Sequence, residues 1–417
     1  MSSIALLAMI VLPAVSEPLR IDAAAVTAQP SYEAELLSDA ASRTLMLGDE
    51  QSPNGYINGK FTLGDGGPNK LIVGGFMQNR YMGNFRDRPD ATHDSYTGGF
   101  QVARARLKFA GTVWDKNFSY FFLTELSNRS GNTTILDAEM KYTFDNKVYV
   151  RAGQYKPLYM REELVIDPLQ LTVDRSLTNG AFTLTRSQGA GVGWTGSSVR
   201  MGADITDGGS NLNTEFDSRK EADFAVTGRA EWLWAGTDFK RFDDFTSYRG
   251  QTYTGMIGAA IDWETFGQSG PGTIGGAPDQ RIFGATADVS AEGDGWNAYG
   301  AFMYRNRAPA GAEDRKNYGL VVQGGVFVTE QTEAFARYDV IFPDDADGPD
   351  SFNTITAGAS YYLSPKSSVA KLTGDVVYYA DPTNSTAIIS TPNTTVNLLP
   401  DTKGNQVALR LQLQVIF

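Results

Sequence analysis

A chain of 417 residues with 44 Gly, 23 Phe, 19 Tyr and no cysteine carries a formal net charge of −12. Without cysteine there is no disulfide framework, thiol catalysis or Cys-ligated zinc, and the acidic balance disfavours nucleic acid, whose phosphates call for Lys and Arg on one face. Beyond the N-terminus no apolar run reaches eighteen residues, so helical membrane spans are excluded and the bilayer stays open only to a closed barrel.

In chain order, the segment "MSSIALLAMIVLPAVS" has an apolar stretch from Ile4 to Val15. It is too short to span a bilayer and reads as the apolar part of an export signal over 1–28, although no Lys or Arg precedes it. Cleavage is expected after Ser16 or after Ala28. Residues 29–70 read as a periplasmic segment, a short helix around Glu33 to Met46 followed by a Gly/Pro/Asn-rich linker.

From Leu71 the side chains alternate apolar and polar with period two, in segments of about ten residues bounded by turn residues. The predicted strands are 71–82, 99–113, 115–127, 133–144, 147–156, 188–196, 198–207, 221–233, 252–264, 280–291, 295–305, 317–329, 332–342, 352–364, 368–380 and 405–417. That makes sixteen, which with the alternation predicts an all-β fold, an antiparallel up-and-down transmembrane barrel over 71–417 facing outer-membrane lipid. Short and long connections also alternate, as periplasmic turns and extracellular loops do in such barrels. Only Trp234 to Gln251 is long where a short turn is due; it is expected to fold into the lumen or to hold an extra hairpin.

The lipid side fixes the phase, because Arg or Lys on the lipid face near the midplane costs roughly 2–4 kcal/mol. In 133–144 the outward set is Leu136, Ala138, Met140, Tyr142 and Phe144, with Asp137, Glu139 and Lys141 inside. In 221–233 it is Phe224, Val226, Gly228, Ala230 and Trp232, with Arg229 and Glu231 inside. Trp114, Tyr142, Trp194, Trp232, Trp263 and Trp296 fit interfacial girdles. The last strand turns Val407 to Phe417 outward at odd positions and Arg410, Gln412 and Gln414 inward, and is expected to close the sheet against Leu71 to Met82.

On "GFQVARARLKFAG", Gly99 to Gly111, the same phase puts Arg104, Arg106 and Lys108 on the lumenal face, a cation ladder spaced by about 7 Å. Such ladders attract anions. Two arrangements stay open: a bare ladder, or one paired with Glu125, Asp137 and Glu139. The connection 157–187 is a candidate constriction loop, in which Arg175 and Arg186 are suited to oxyanions because the guanidinium donates two parallel hydrogen bonds and keeps its charge; alternatively Asp174 and Arg186 pin the loop to the wall.

The stretches "FQVARARLKFAGTV" at 100–113, "VYVRAGQYKP" at 148–157, "DRS" at 174–176, "RSQGAGVGW" at 186–194 and "TGR" at 227–229, with the terminal Phe417, resemble the phosphate-selective porin O and P family. The resemblance spans about Leu71 to Phe417. It implies a sixteen-stranded, usually homotrimeric outer-membrane channel with anion preference, without implying phosphate specificity. By likeness to outer-membrane proteins, Phe417 is expected to be a signal for the barrel-assembly machinery.

Other motifs carry little. "GVGWTG", 191–196, spells a dinucleotide-binding pattern but leads into a hairpin turn instead of a helix. "FPDDADGPD", 342–350, lacks calcium-loop spacing and reads as a solvated loop. His93 is the only histidine, so no zinc site or His relay is available, and the adjacent Glu162 and Glu163 lack the geometry of a glycosidase pair. No enzyme activity, metal or cofactor is called for. The expectation is a passive channel for small hydrophilic solutes, tilted toward anions by Arg104, Arg106, Lys108, Arg151, Lys156, Arg175, Arg186 and Arg229. Its rivals are a plugged barrel acting as an enzyme or adhesin through its loops, and a soluble secreted carbohydrate-binding β protein.

Overall fold

The computed structural model describes residues 55–57, 60–87, 95–127, 131–215, 218, 221–266, 280–348, 351–383 and 387–417. The export signal expected over 1–28, the helix expected at 33–46 and His93 lie outside them.

Eighteen strands form one antiparallel sheet: β1 (Gly55–Ile57), β2 (Lys60–Gly64), β3 (Lys70–Phe85), β4 (Tyr96–Val113), β5 (Asp115–Glu125), β6 (Thr134–Thr143), β7 (Val148–Tyr155), β8 (Ser187–Thr195), β9 (Val199–Thr206), β10 (Phe224–Ala235), β11 (Thr254–Phe266), β12 (Gln280–Gly293), β13 (Trp296–Pro309), β14 (Arg315–Phe327), β15 (Thr332–Phe342), β16 (Phe352–Ser364), β17 (Ser367–Tyr379) and β18 (Gln406–Ile416). From β3 to β18 each strand pairs with the next, and β18 returns to β3 from Ile416↔Phe76 to Val407↔Phe85. The result is a closed sixteen-stranded barrel. Closure leaves no sheet edge in lipid, as the bilayer requires.

Lipid phase and turn chemistry explain these strands. On β18, Leu409, Leu411 and Leu413 are 43–47% exposed while Arg410, Gln412 and Gln414 are at most 2% exposed, so alternation decides which face meets lipid. The tight β12–β13 turn places Asp294 and Gly295 between the paired Gly293 and Trp296, and Gly295 takes φ +72°, which a two-residue hairpin loop favours. One phase assignment is corrected: β5 and β6 slip register between Leu123↔Asp137 and Thr124↔Ile135. The slip makes Leu136 a bulge residue, so Ile135 faces out and Leu136 is buried.

The linker expected before the barrel contains the β1–β2 hairpin. Its strand β2 pairs with β3 from Phe61↔Val73 to Gly64↔Lys70. β18 runs out on the same edge of β3, where Phe417 and Gly75 exchange two backbone hydrogen bonds of 2.7 and 2.9 Å. The hairpin thus covers backbone groups of β3 that β18 is too short to reach.

Short turns mark one end of the barrel and long connections the other, which identifies the first as periplasmic. Two segments enter the lumen from opposite ends. The connection 156–186 holds α1 (Arg161–Leu164), a 3-10 turn (Asp167–Leu169) and α2 (Leu177–Phe182), capped by Ser176, whose hydroxyl accepts from Asn179 N–H. The long periplasmic connection 236–253 also folds inward, without a hairpin, through a 3-10 turn at Phe239–Asp243.

These segments share an apolar core with the inner wall. Leu169, Leu171 and Phe182 from 156–186 pack with Phe245 from 236–253, Val396 and Leu398 from the connection before β18, and wall residues such as Val321, Phe335 and Val377. Almost all inward side chains of β15 to β18 are buried as a result. On this side the polar lumen face expected from alternation is covered by the in-folded segments, whereas Arg106 and Lys108 of β4 stay partly exposed.

Candidate functional site

The site is built on β3 and β4, whose inward positions alternate along the wall. Arg80 stands on β3, and Arg104, Arg106 and Lys108 on β4. The 3-10 turn of the in-folded connection carries Asp167 to them, and the following bend brings Asp174.

Arg104 spans both carboxylates, with Nε 2.9 Å from Asp167 and Nη2 3.0 Å from Asp174, while its Nη1 donates to Gln78 at 3.0 Å. Arg80 Nη1 meets Asp174 at 2.8 Å, and its Nη2 donates to the carbonyl of Val173 at 2.9 Å. Arg106 pairs with Glu125 at 2.7 Å and also with Asp167. Arg175, on the loop itself, reaches Asp167 at 2.6 Å. Four guanidiniums thus converge on two loop carboxylates, with Glu125 on the outer side of Arg106. Planar forks that donate paired hydrogen bonds suit carboxylate oxygens.

Beside this cluster, Lys156 meets Glu163 at 3.1 Å and Arg186 meets Asp137 at 2.8 Å. A cavity of about 20 Å³ lies between Arg106, Asp137, Lys156, Asp167 and Arg186, room for about one water and too small for a further anion. Lys108 is partly exposed and has no ion-pair partner among the described residues. Arg151 and Arg229 stand apart: Arg151 pairs with Asp204 at 2.8 Å, and Arg229 with Asp288 at 2.8 Å and Glu231 at 2.9 Å. The fold therefore gathers Arg104, Arg106 and Arg175, sets Lys156 and Arg186 next to them, and leaves Arg151 and Arg229 elsewhere on the wall.

Loop protonation follows from these contacts. Burial alone would raise the Asp167 carboxyl, but Arg104, Arg106 and Arg175 outweigh it and hold the group well below the usual carboxylate range. Asp174 is lowered likewise, with Arg104 and Arg80 overcoming burial. Glu163 falls to about 2, since Arg175 and Lys156 outweigh its burial. Lys156 is pulled down to about 7, chiefly by burial. Both loop aspartates are therefore charged at neutral pH and act as anions in an arginine-lined slot.

Three buried cations belong to the lumen although the sequence reading did not single them out. Arg80 and Arg337 sit at inward positions of predicted strands, so the alternation could have found them. Arg337 donates to Thr172 Oγ1 at 2.7 Å and to the Asp174 carbonyl at 2.9 Å, bracing the bend. Arg161 joins the two in-folded segments. It donates to the carbonyls of Phe242 and Asp244, each at 2.9 Å, and its guanidinium lies 4.2 Å from the Phe245 ring centroid. No local pattern announces that role.

A sequence profile of the family described as phosphate-selective porin O and P matches residues 77–414. No curated protein sequence matches the chain. Among solved structures, the anion-selective porin from Comamonas acidovorans superposes with TM-score 0.57 at 12% identity, covering 84% of this chain and all of that one. OmpF of Salmonella typhi, in complex with daunomycin, gives 0.56 at 13% identity, covering 84% and 98%. The outer membrane channel DcaP of Acinetobacter baumannii gives 0.52 at 13%, covering 85% and 98%. At such identities the likeness establishes a shared barrel fold.

Proposed function

The chain belongs to the phosphate-selective porin O and P family, and from that premise we propose that this outer-membrane porin passes small hydrophilic solutes with a preference for anions, phosphate-like ions among them. The observation that carries the preference is the gathering of Arg80, Arg104, Arg106 and Arg175 at Asp167 and Asp174, with Glu125 and Glu163 as further partners of Arg106 and Arg175, and with Lys108, which has no ion-pair partner among the described residues, further along the same wall. Cationic walls lower the entry barrier for anions in a narrow, low-dielectric passage. No chemical step is involved. Assembly as a homotrimer and recognition of Phe417 by the barrel-assembly machinery belong to the same proposal.

Reversal potential in a salt gradient across a planar bilayer tests the preference. Anion selectivity is expected, and replacing Arg104, Arg106 and Lys108 together by Gln should lower the anion-to-cation permeability ratio by about threefold or more. Cation selectivity in the unmodified protein would refute it.

The buried inner wall favours a second reading, a barrel that stays closed and acts through its loops. Inserted protein that passes no current under any salt would support that reading over a channel.

A further inference from the structure

The arginine slot is occupied by the protein itself. Arg80, Arg104 and Arg106 stand on two barrel strands, paired from Lys70↔Thr112 to Phe85↔Tyr96, and are held by the wall. The two carboxylates between them come from the in-folded connection, seven positions apart at 167 and 174. Arg104 grips both at 2.9 and 3.0 Å, and holds Asp174 through both of its oxygens. The arginines on the wall are thus fixed, and apart from Glu125 of β5, which pairs with Arg106, the carboxylates that neutralise them are tethered to a segment that crosses the lumen.

We propose that Arg80, Arg104 and Arg106 form an oxyanion-binding cradle in which Asp167 and Asp174 act as tethered ligands, so that a solute oxyanion binds by displacing this stretch of the connection. The proposal rests on the anion-preferring reading above and names how the anion is admitted. Three features carry it. The bound groups are themselves oxyanions in paired hydrogen bonds with guanidinium, which shows what chemistry the slot accepts. The cavity of about 20 Å³ beside Asp167 has room for about one water, so on that side an oxyanion reaches Arg106 only in place of the aspartate. Arg80 and Arg104 are buried and would lose their only carboxylate partners among the described residues if the stretch moved away, which is strongly disfavoured, so the stretch leaves the wall only when an anion takes its place. An oxyanion that binds only the displaced state shifts the population toward it, while one that met both states equally would shift nothing.

The test is equilibrium binding of acetate and of inorganic phosphate to the full chain in detergent, read by titration calorimetry at constant ionic strength with chloride as control. The double variant Asp167→Asn, Asp174→Asn keeps side-chain volume and removes the competing charge. It should bind both oxyanions at least about tenfold more tightly than the unmodified protein, which corresponds to about 1.4 kcal/mol. Adding Arg104→Gln should erase the gain. Equal affinity in the double variant and the unmodified protein would overturn the proposal, as would a gain that survives Arg104→Gln. Folding is followed by heat-modifiable electrophoretic mobility, and Asp167→Asn alone should shift affinity the same way by less, so the question is decided even if the double variant fails to fold. Failure of the channel reading shows instead as absence of current in bilayers, a result independent of these affinities.

Discussion

Two segments close the lumen, and they are held by different physics. The extracellular connection 156–186 packs Leu169, Leu171 and Phe182 into the apolar core and is fastened in addition, through its middle, by ion pairs between Asp167 and Asp174 and the arginine wall. The periplasmic connection 236–253 is fastened chiefly by rings and backbone, with Arg241 paired to Glu292 at 3.2 Å and Asp243 to Arg200 at 3.7 Å. Phe239 and Phe242 pack with Leu233 and Met256, Phe245 lies edge-on to Tyr299 at 5.0 Å, and Tyr248 packs with Phe327 and Tyr362, each at 5.5 Å. The segments meet where Phe245 N–H donates to the Leu169 carbonyl at 3.2 Å and where Arg161 donates across the junction. Both segments answer to pH through buried carboxyls, but only the one pinned by ion pairs at its middle also answers to anions, whereas the ring-held one answers to packing. Only the first is suited to yield to a solute.

The largest expected effect breaks the junction. Arg161 is 2% exposed and satisfies two buried carbonyls of the periplasmic segment while filling space among Phe242, Phe245 and Tyr299. Arg161→Ala leaves those carbonyls without a donor and a void among the rings, a loss of about 4 kcal/mol. Heat-modifiable mobility should show a lower unfolding midpoint, and proteolysis should open 236–253 before 156–186. Simultaneous opening would mean that the two segments are one unit and that the contrast between them is false.

Acidity should act on the two segments with opposite sign. In the extracellular connection Glu163 titrates near 2, below its unfolded value, so its contribution is present above about 4.5 and is lost as pH falls toward 2; Asp167 and Asp174 follow the same direction, and Glu162 alone among these loop carboxyls is raised, by burial against the pull of Arg337. In the periplasmic connection burial pushes Asp244 up to about 6, against the opposing pull of Lys371 and Arg161 and with Glu333 and Glu292 also facing it. A carboxyl with a raised folded value binds its proton more tightly in the native state, so this segment loses stability as pH rises from about 4 to 6. Each effect is of order 3 kcal/mol. Hydrogen exchange corrected for intrinsic rates should show 236–253 better protected at pH 4 than at pH 7, and 156–186 losing protection only below about pH 4. Asp244→Asn should abolish the first change and spare the second.

How far these features were legible in the sequence follows from their range. The sixteen strands were readable because lipid penalises a misplaced charge on every second residue, a local and repeated signal. The girdle residues Trp194, Trp232, Trp263 and Trp296 are 37–51% exposed by the same logic. The β1–β2 hairpin escaped because strands of three and five residues in the Gly- and Asn-rich stretch "NGYINGKFTLGDGG" are too short to show a period. Arg104, Arg106 and Arg175 were named from residue type, and Asp174 as a pin of the loop and Glu125 as a partner of the ladder were among the alternatives, but which arginines Asp174 meets and the part of Asp167 were not readable. Arg104 and Asp174 are 70 positions apart, and their contact depends on the path of an irregular segment. The inward turn of 236–253 was anticipated as one of two outcomes from connection length alone; its partner Arg161 was not, since a buried arginine among rings has no sequence signature.

The smallest expected effect lies at the seam, outside both segments, and serves as their control. Phe417 exchanges two backbone hydrogen bonds with Gly75, and its ring lies over that glycine, where an added Cβ would come within 3.0 Å of the ring and also collide with the Arg106 carbonyl. Removing Phe417 therefore deletes the last rung between β18 and β3 and a lipid-facing aromatic that is 47% exposed, about 1–2 kcal/mol of barrel stability. The yield of folded barrel in the outer membrane should fall more than that loss of stability alone accounts for, if the residue also serves the assembly machinery. In the barrels that do form, protection of 156–186 and of 236–253 should be unchanged, because the connection 156–186 is held to this strand further in, where Gln414 donates to the Pro168 carbonyl at 2.9 Å. A deletion that loosened one segment selectively would show that the seam, rather than the arginine wall or the ring cluster, sets the difference between them.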